Sequence, residues 1–233
     1  MSLRERFEKW LSFTRETMRE MSFKQKISYL LYSYKGWLVG LLIVILFASY
    51  VGDAVAQSGR DIVLQGFFTN DDWGLFDAER LEKEYSSTLE LGRKQTVVFD
   101  DDLYIDLGGE ATEYTAASNG KLIAYMAVRE LDFVVTTEAV LNHYEGEAPM
   151  LDLSQALPAD MLEKLSPYLY IGADAEGNPA AVALNMRQSR FILDSYAGKN
   201  GLIDTEYYLF IPLLAPNPER VCEFIRWCFP QLF

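Results

Sequence analysis

Thr69, Asn70, Asp71 and Trp73 follow directly on a run of strand-forming residues, and Thr136 and Thr137 close a second such run. Amide, hydroxyl and carboxylate groups beside an indole ring suit a sugar, a peptide or a cation, since the ring offers an apolar platform and the polar groups fix orientation. Position adds weight, because ligands of an open parallel sheet sit outside the carboxyl ends of its strands. The same residue types also make solvated turns and helix caps, and the sequence leaves that alternative open. Asp100-Asp101-Asp102 offers the hard oxygen ligands that calcium needs, but lacks the Asp-x-Asp-x-Asp-Gly spacing, which favours a solvated acidic turn.

Catalytic arrangements are hard to find. With 34 Asp and Glu in the chain, carboxylate pairs at glycosidase separations arise by chance, so their abundance says nothing about hydrolysis. Ser118 and Ser189 lie outside any Gly-x-Ser-x-Gly elbow, and the lone His143 shares its segment with Leu141 and Tyr144, as a structural histidine would. Gly108-Gly109 and the glycines at 198 and 201 lack the Lys-Ser/Thr partner or the GxGxxG spacing of a phosphate loop. Cys222 and Cys228 are six apart on one expected helix, about 120° apart around it, which suits neither a disulfide nor a CxxC site. The expectation is a protein without catalysis, metal or cofactor, with an extracytoplasmic hydrolase as the weakest reading.

The elements that would position these groups alternate between strand and helix. Strands are expected at 62–68 and 96–99, a loop through Asp100-Asp101-Asp102, and a short strand at 103–107. A buried strand is expected at 131–136 and a hairpin from 168–173 and 179–184 around the turn at 174–178. A strongly apolar strand covers 207–214. Helices are expected at 75–85, with Asp71 or Asp72 near its start, at 119–130 behind Ser118, at 138–144, at 160–165, at 187–196, and from Pro218 onward. Strand–helix–strand alternation predicts an α/β class with a largely parallel sheet covered by helices in three layers.

An uncharged run at 36–52 separates two regions of opposite charge. Its 17 residues reach about 25 Å against a hydrocarbon core of about 30 Å, and Leu30, Leu31 and Tyr32 extend the apolar surface. The first 35 residues hold eight of the 21 Lys and Arg against four acids, and by difference the rest carries about −17 of a total of −13. The positive-inside rule then predicts a cytoplasmic basic amphipathic arm at 1–35, a transmembrane helix at 36–52, a linker at 53–60 and an extracytoplasmic α/β domain at 61–233 in a single-pass cell-membrane protein. Ala54-Val55-Ala56 before Gln57 has the form of a processing site, so cleavage is the alternative to a retained anchor. So acidic a domain repels nucleic acid and anionic lipid; the expected partners are the bilayer through 36–52, a small solute or peptide, and a membrane protein.

Three segments resemble extracellular solute-binding proteins. Leu131-Asp132-Phe133-Val134-Val135-Thr136-Thr137-Glu138 resembles their buried strand that begins with Asp and follows an amphipathic helix. Leu151-Asp152-Leu153-Ser154-Gln155-Ala156-Leu157-Pro158 is similar to the segment before their crossover. The stretch at 207–228, with Pro216-Asn217-Pro218-Glu219, resembles the strand and helix that return to the first lobe. The resemblance implies one lobe of a type 2 periplasmic-binding-protein fold with a reduced second lobe at 166–204, and a non-catalytic binding or accessory role. The alternative is a structural or regulatory subunit of a membrane complex acting through protein contacts.

Overall fold

The computed structural model describes residues 22, 39, 43–45, 47, 59–109, 112–145, 148–174 and 176–233. The chain divides into Met1–Gly59 and Arg60–Phe233. In the first unit Val39, Ile43, Val44, Ile45 and Phe47 are helical and exposed. The rest of the expected span at 36–52, the arm at 1–35 apart from Ser22, and most of the linker lie outside the described residues. Among the described residues no helix is long and apolar enough to cross a membrane.

The second unit is an α/β fold built on one mixed six-stranded sheet. Its elements are β1 (Asp61–Thr69), α1 (Ala78–Ser86), β2 (Gln95–Leu103), α2 (Glu113–Ala127), β3 (Phe133–Thr137), α3 (Glu138–Glu145), α4 (Leu153–Ala156) and α5 (Ala159–Leu165). A 3-10 turn (Ser166–Tyr168) leads to β4 (Leu169–Ala173), β5 (Pro179–Asn185), α6 (Arg190–Asp194), α7 (Tyr196–Lys199), β6 (Tyr207–Phe210) and α8 (Pro218–Cys228). The strand order is β2-β1-β3-β6-β5-β4. β2, β1 and β3 run parallel, whereas β3/β6, β6/β5 and β5/β4 pair antiparallel, so the sheet is mixed rather than largely parallel.

Each strand sends alternate side chains to opposite faces, and each face has its own core. Leu64 and Phe68 of β1, Phe133 and Val135 of β3, and Tyr207 and Leu209 of β6 pack with Leu81 of α1, Met161 of α5 and Phe224 of α8. Phe67, Val134 and Phe210 pack on the other face with Leu122 of α2 and Val140, Leu141 and Tyr144 of α3. Phe133 is the pivot of the first core: its ring stacks on Phe224 at 4.6 Å and meets Phe68 edge-on at 5.9 Å. That placement requires Gly66 on β1, where an added Cβ would come within 2.1 Å of the Phe133 ring.

Several expectations are corrected. The segment at 166–204 forms no second lobe: its hairpin joins the same sheet through β5, which pairs with β6. The Asp100-Asp101-Asp102 triplet is strand rather than loop, because β2 pairs only with β1 and an edge strand tolerates carboxylates. The strand expected at 103–107 ends at Leu103. Helix α1 starts at Asp77, which accepts from the Arg80 amide at 2.9 Å, in place of Asp71 or Asp72. Helix α2 starts at Thr112, through a capping box with Thr115; Ser118 lies buried within it and accepts from the Tyr104 amide at 3.3 Å.

Asp132, just before β3, is 1% exposed. Its Oδ2 accepts from the Gln65 amide at 2.7 Å and its Oδ1 from the Asn217 amide at 2.8 Å, joining β1 to the N-cap of α8. Burial, the largest influence, raises its pKa despite the lowering by these hydrogen bonds. Asp132→Ala should cost about 2 to 4 kcal/mol in urea unfolding of the full chain, since the buried Gln65 amide and the half-buried Asn217 amide lose their acceptor. With the folded pKa raised, the folded state holds the extra proton. The stability from this titration is therefore fully present below the ordinary carboxylate value and lost as pH rises through the raised one. Urea midpoints measured upward from pH 4 should fall less steeply in Asp132→Asn than in the unaltered chain.

Candidate functional site

β1 and β3 run parallel and end at the same edge of the sheet, while β6 begins there because it runs the other way. This places Thr69, Asn70, Thr136, Thr137 and Tyr207 together. Thr69 and Thr136 are fully buried and their Oγ1 atoms lie 2.6 Å apart. Asn70 adopts a left-handed φ of 55°, a conformation asparagine tolerates better than most residues. Its Oδ1 accepts from the Ile105 amide at 3.0 Å and its Nδ2 donates to the Ile105 carbonyl at 2.8 Å, so the side chain closes the turn after β2. The Tyr207 hydroxyl donates to the Asn70 carbonyl at 3.3 Å. Burial and the carboxylates of Asp71 and Asp72 push that hydroxyl's pKa well up, keeping it a neutral donor.

Asp71 and Trp73 occupy the turn that follows Asn70 directly. Asp71 Oδ2 accepts from the Phe76 amide at 2.7 Å, and its Oδ1 is buried without a hydrogen-bond partner. Trp73 is exposed. The polar atoms of Thr69, Asn70 and Thr136 are thus engaged with one another and with backbone.

Open space at this edge lies beside β5 and β6. A cavity of about 350 Å³ is lined by Arg187 and Gln188 after β5, Ile192 and Leu193 of α6, and Asp204, Glu206 and Tyr207 at the approach to β6. A second, of about 200 Å³, shares Arg187 and Gln188 and is completed by Tyr168, Tyr170, Asn185 and Tyr208. Glu206 is the hub between them, accepting from Asn185 Nδ2 at 2.9 Å, the Tyr208 hydroxyl at 2.7 Å and Arg187 at 3.4 Å. Burial and this bond to Glu206 push the Tyr208 hydroxyl up to about 12. Sequence reasoning misses Asn185, Arg187 and Gln188 because the resemblance sets 166–204 apart as another lobe; the carboxyl-end rule applied to β5 leads directly to Arg187 and Gln188.

The chemistry available is hydrogen bonding, ion pairing and aromatic contact. Burial pushes the thiols of Cys222 and Cys228 up, which leaves them protonated and unreactive. Among the described residues no group of three His, Cys, Asp or Glu side chains converges as a metal site. A third, apolar groove of about 250 Å³ lies between Ile123 and Met126 of α2, Tyr144 of α3 and Pro212 to Leu214. Comparison with known proteins finds no matching family model, no similar curated protein and no similar solved structure.

Asn70→Ala should lower stability by about 2 to 3 kcal/mol, by stranding the Ile105 amide and carbonyl and leaving a left-handed residue without its side-chain bonds. Chemical denaturation of the full chain measures this. A loss below about 0.5 kcal/mol would mean that Asn70 is not the brace its geometry describes.

Proposed function

We propose that this chain is a single-pass membrane protein whose outward α/β domain is a non-catalytic binding module, taking a small solute or peptide at the carboxyl edge of its sheet. The observation that carries the reading is the 350 Å³ cavity beside Arg187, Glu206 and Tyr207, a volume within the range of small-ligand sites and in the place where open α/β sheets bind. The charge asymmetry about 36–52 supports the membrane part. The resemblance to solute-binding proteins enters here as a reduced relative only, since one sheet holds the whole domain and ligand capture rests on a surface cavity instead of closure between lobes. Thr69, Asn70 and Thr136 then act as the rigid floor that fixes Tyr207, and Asp71, Trp73 and Thr137 as the adjoining rim.

A second reading, a subunit acting through protein contacts, is favoured by the apolar groove and by Ile123, Leu213 and Leu214 beside it, each more than 40% exposed. Thermal unfolding of the full-length chain in detergent, against sugars, amino acids, oligopeptides and divalent cations, separates the two. The binding reading expects one class to raise Tm in a concentration-dependent way, corresponding to about 2.7 kcal/mol at a hundredfold excess over Kd. Leu193→Trp, which fills the cavity from an exposed position, should abolish the shift. A flat response across the panel would leave the contact reading.

A further inference from the structure

The lining of the 350 Å³ cavity divides into an apolar part and a charged part. Ile192 and Leu193 of α6 and Ile203 ahead of β6 supply branched aliphatic surface. The charged members are Arg187, Asp204 and Glu206, one cation against two carboxylates. The volume stands at the small end of the range of about 300 to 1,000 Å³ that ligand cavities span, which favours a small molecule over an extended peptide.

The three charges are not equally open to a ligand. Glu206 Oε2 accepts from Asn185 Nδ2 and from the Tyr208 hydroxyl, and its Oε1 lies 3.4 Å from Arg187 Nη1. Both oxygens of Glu206 are therefore engaged, and Arg187 is neutralised by it. The Tyr207 hydroxyl is committed as well, to the Asn70 carbonyl. Asp204 differs: its carboxylate accepts only from the neighbouring Thr205 hydroxyl at 3.3 Å, and among the described residues no lysine or arginine pairs with it. One unmatched carboxylate beside aliphatic surface calls for a cation that carries an apolar group.

We propose that this cavity takes a small primary amine with a branched apolar chain, its ammonium on Asp204 and its chain against Ile192, Leu193 and Ile203. This rests on the binding reading above and names the ligand class of that site. An ammonium on an exposed carboxylate is a weak contact in water, so selectivity comes from charge and chain together. A bare cation lacks the chain, a neutral alcohol lacks the charge, and a carboxylate meets a guanidinium already matched by Glu206.

Thermal unfolding of the full-length chain in detergent, at neutral pH and constant ionic strength, is followed against isoamylamine, isoamyl alcohol, isovalerate, leucine and methylamine. Methylamine controls for the general screening that any cation gives an acidic domain. Isoamylamine should raise Tm with an apparent Kd about tenfold or more below those of the alcohol, isovalerate and methylamine. Asp204→Asn, at an exposed position, should weaken isoamylamine about fivefold. Arg187→Gln, also exposed, should tighten it about twofold, because Glu206 loses its counter-charge; a site that read a carboxylate would respond the other way. Leu193→Trp should abolish the shift. Equal shifts with the alcohol, isovalerate or methylamine, tighter binding of leucine, weaker amine binding in Arg187→Gln, or an amine shift that survives Leu193→Trp would each overturn the proposal. If another solute raises Tm and loses that shift in Leu193→Trp while isoamylamine does nothing, the amine falls and the binding reading stands; if no ligand acts, both fall.

Discussion

Asp132 holds a carboxylate out of water, and its two oxygens are shared between the amides of Gln65 and Asn217. A charge so buried is costly unless hydrogen bonds replace its lost water, and here backbone amides do so from two directions. The Asp132 amide returns a bond to the Gln65 carbonyl at 2.9 Å, which fixes β3 against β1. With that register set, Gly66 falls opposite Phe133 and the ring lies over the bare backbone. Helix α8, begun at Asn217, then brings Phe224 flat onto Phe133. The central strands, the aromatic core and the last helix thus share one origin, and the polar edge at Thr69, Asn70 and Thr136 inherits its alignment from it.

That edge is occupied by its own bonds. Paired threonines and an asparagine closed on Ile105 make a rigid floor, and the space a ligand would enter lies beyond it, where β5 ends and β6 begins. Rigidity beside a cavity keeps a binding surface preorganised, so little ordering entropy is spent when it fills. Glu206 extends the same economy by holding Asn185, Tyr208 and Arg187 at once.

Much of this was readable in the residues. The apolar runs of β1 and β3, the Asp174 to Asn178 turn between β4 and β5, and Pro218 at the start of α8 each encode their element locally. What escaped depended on neighbours in space. Three successive aspartates read as a loop until β2 is known to be an edge. Ser118, Asp71 and Asp72 are as good N-caps by type as Thr112 and Asp77, and only the tertiary position of each helix chooses among them. No local pattern says that the hairpin at 169–185 will pair with β6 instead of forming a lobe of its own. The site followed the same division: its rim could be located from strand ends, whereas its cavity required knowing which sheet β5 belongs to.

β6 lies between β3 and β5, so the strand that comes last of the six in chain order occupies an inner position in the sheet. Until it docks, β3 carries an unpaired edge, and the hairpin at 169–185 has no strand to join. Val134 must find Phe210, 76 residues further along the chain, a non-local pairing of the kind that makes folding slow. The parallel half therefore keeps an unsealed edge until that pairing forms. Exposed apolar surface and an unpaired strand edge are what make partly folded chains aggregate, so the window for misassembly is set by how quickly β6 finds its place between β3 and β5.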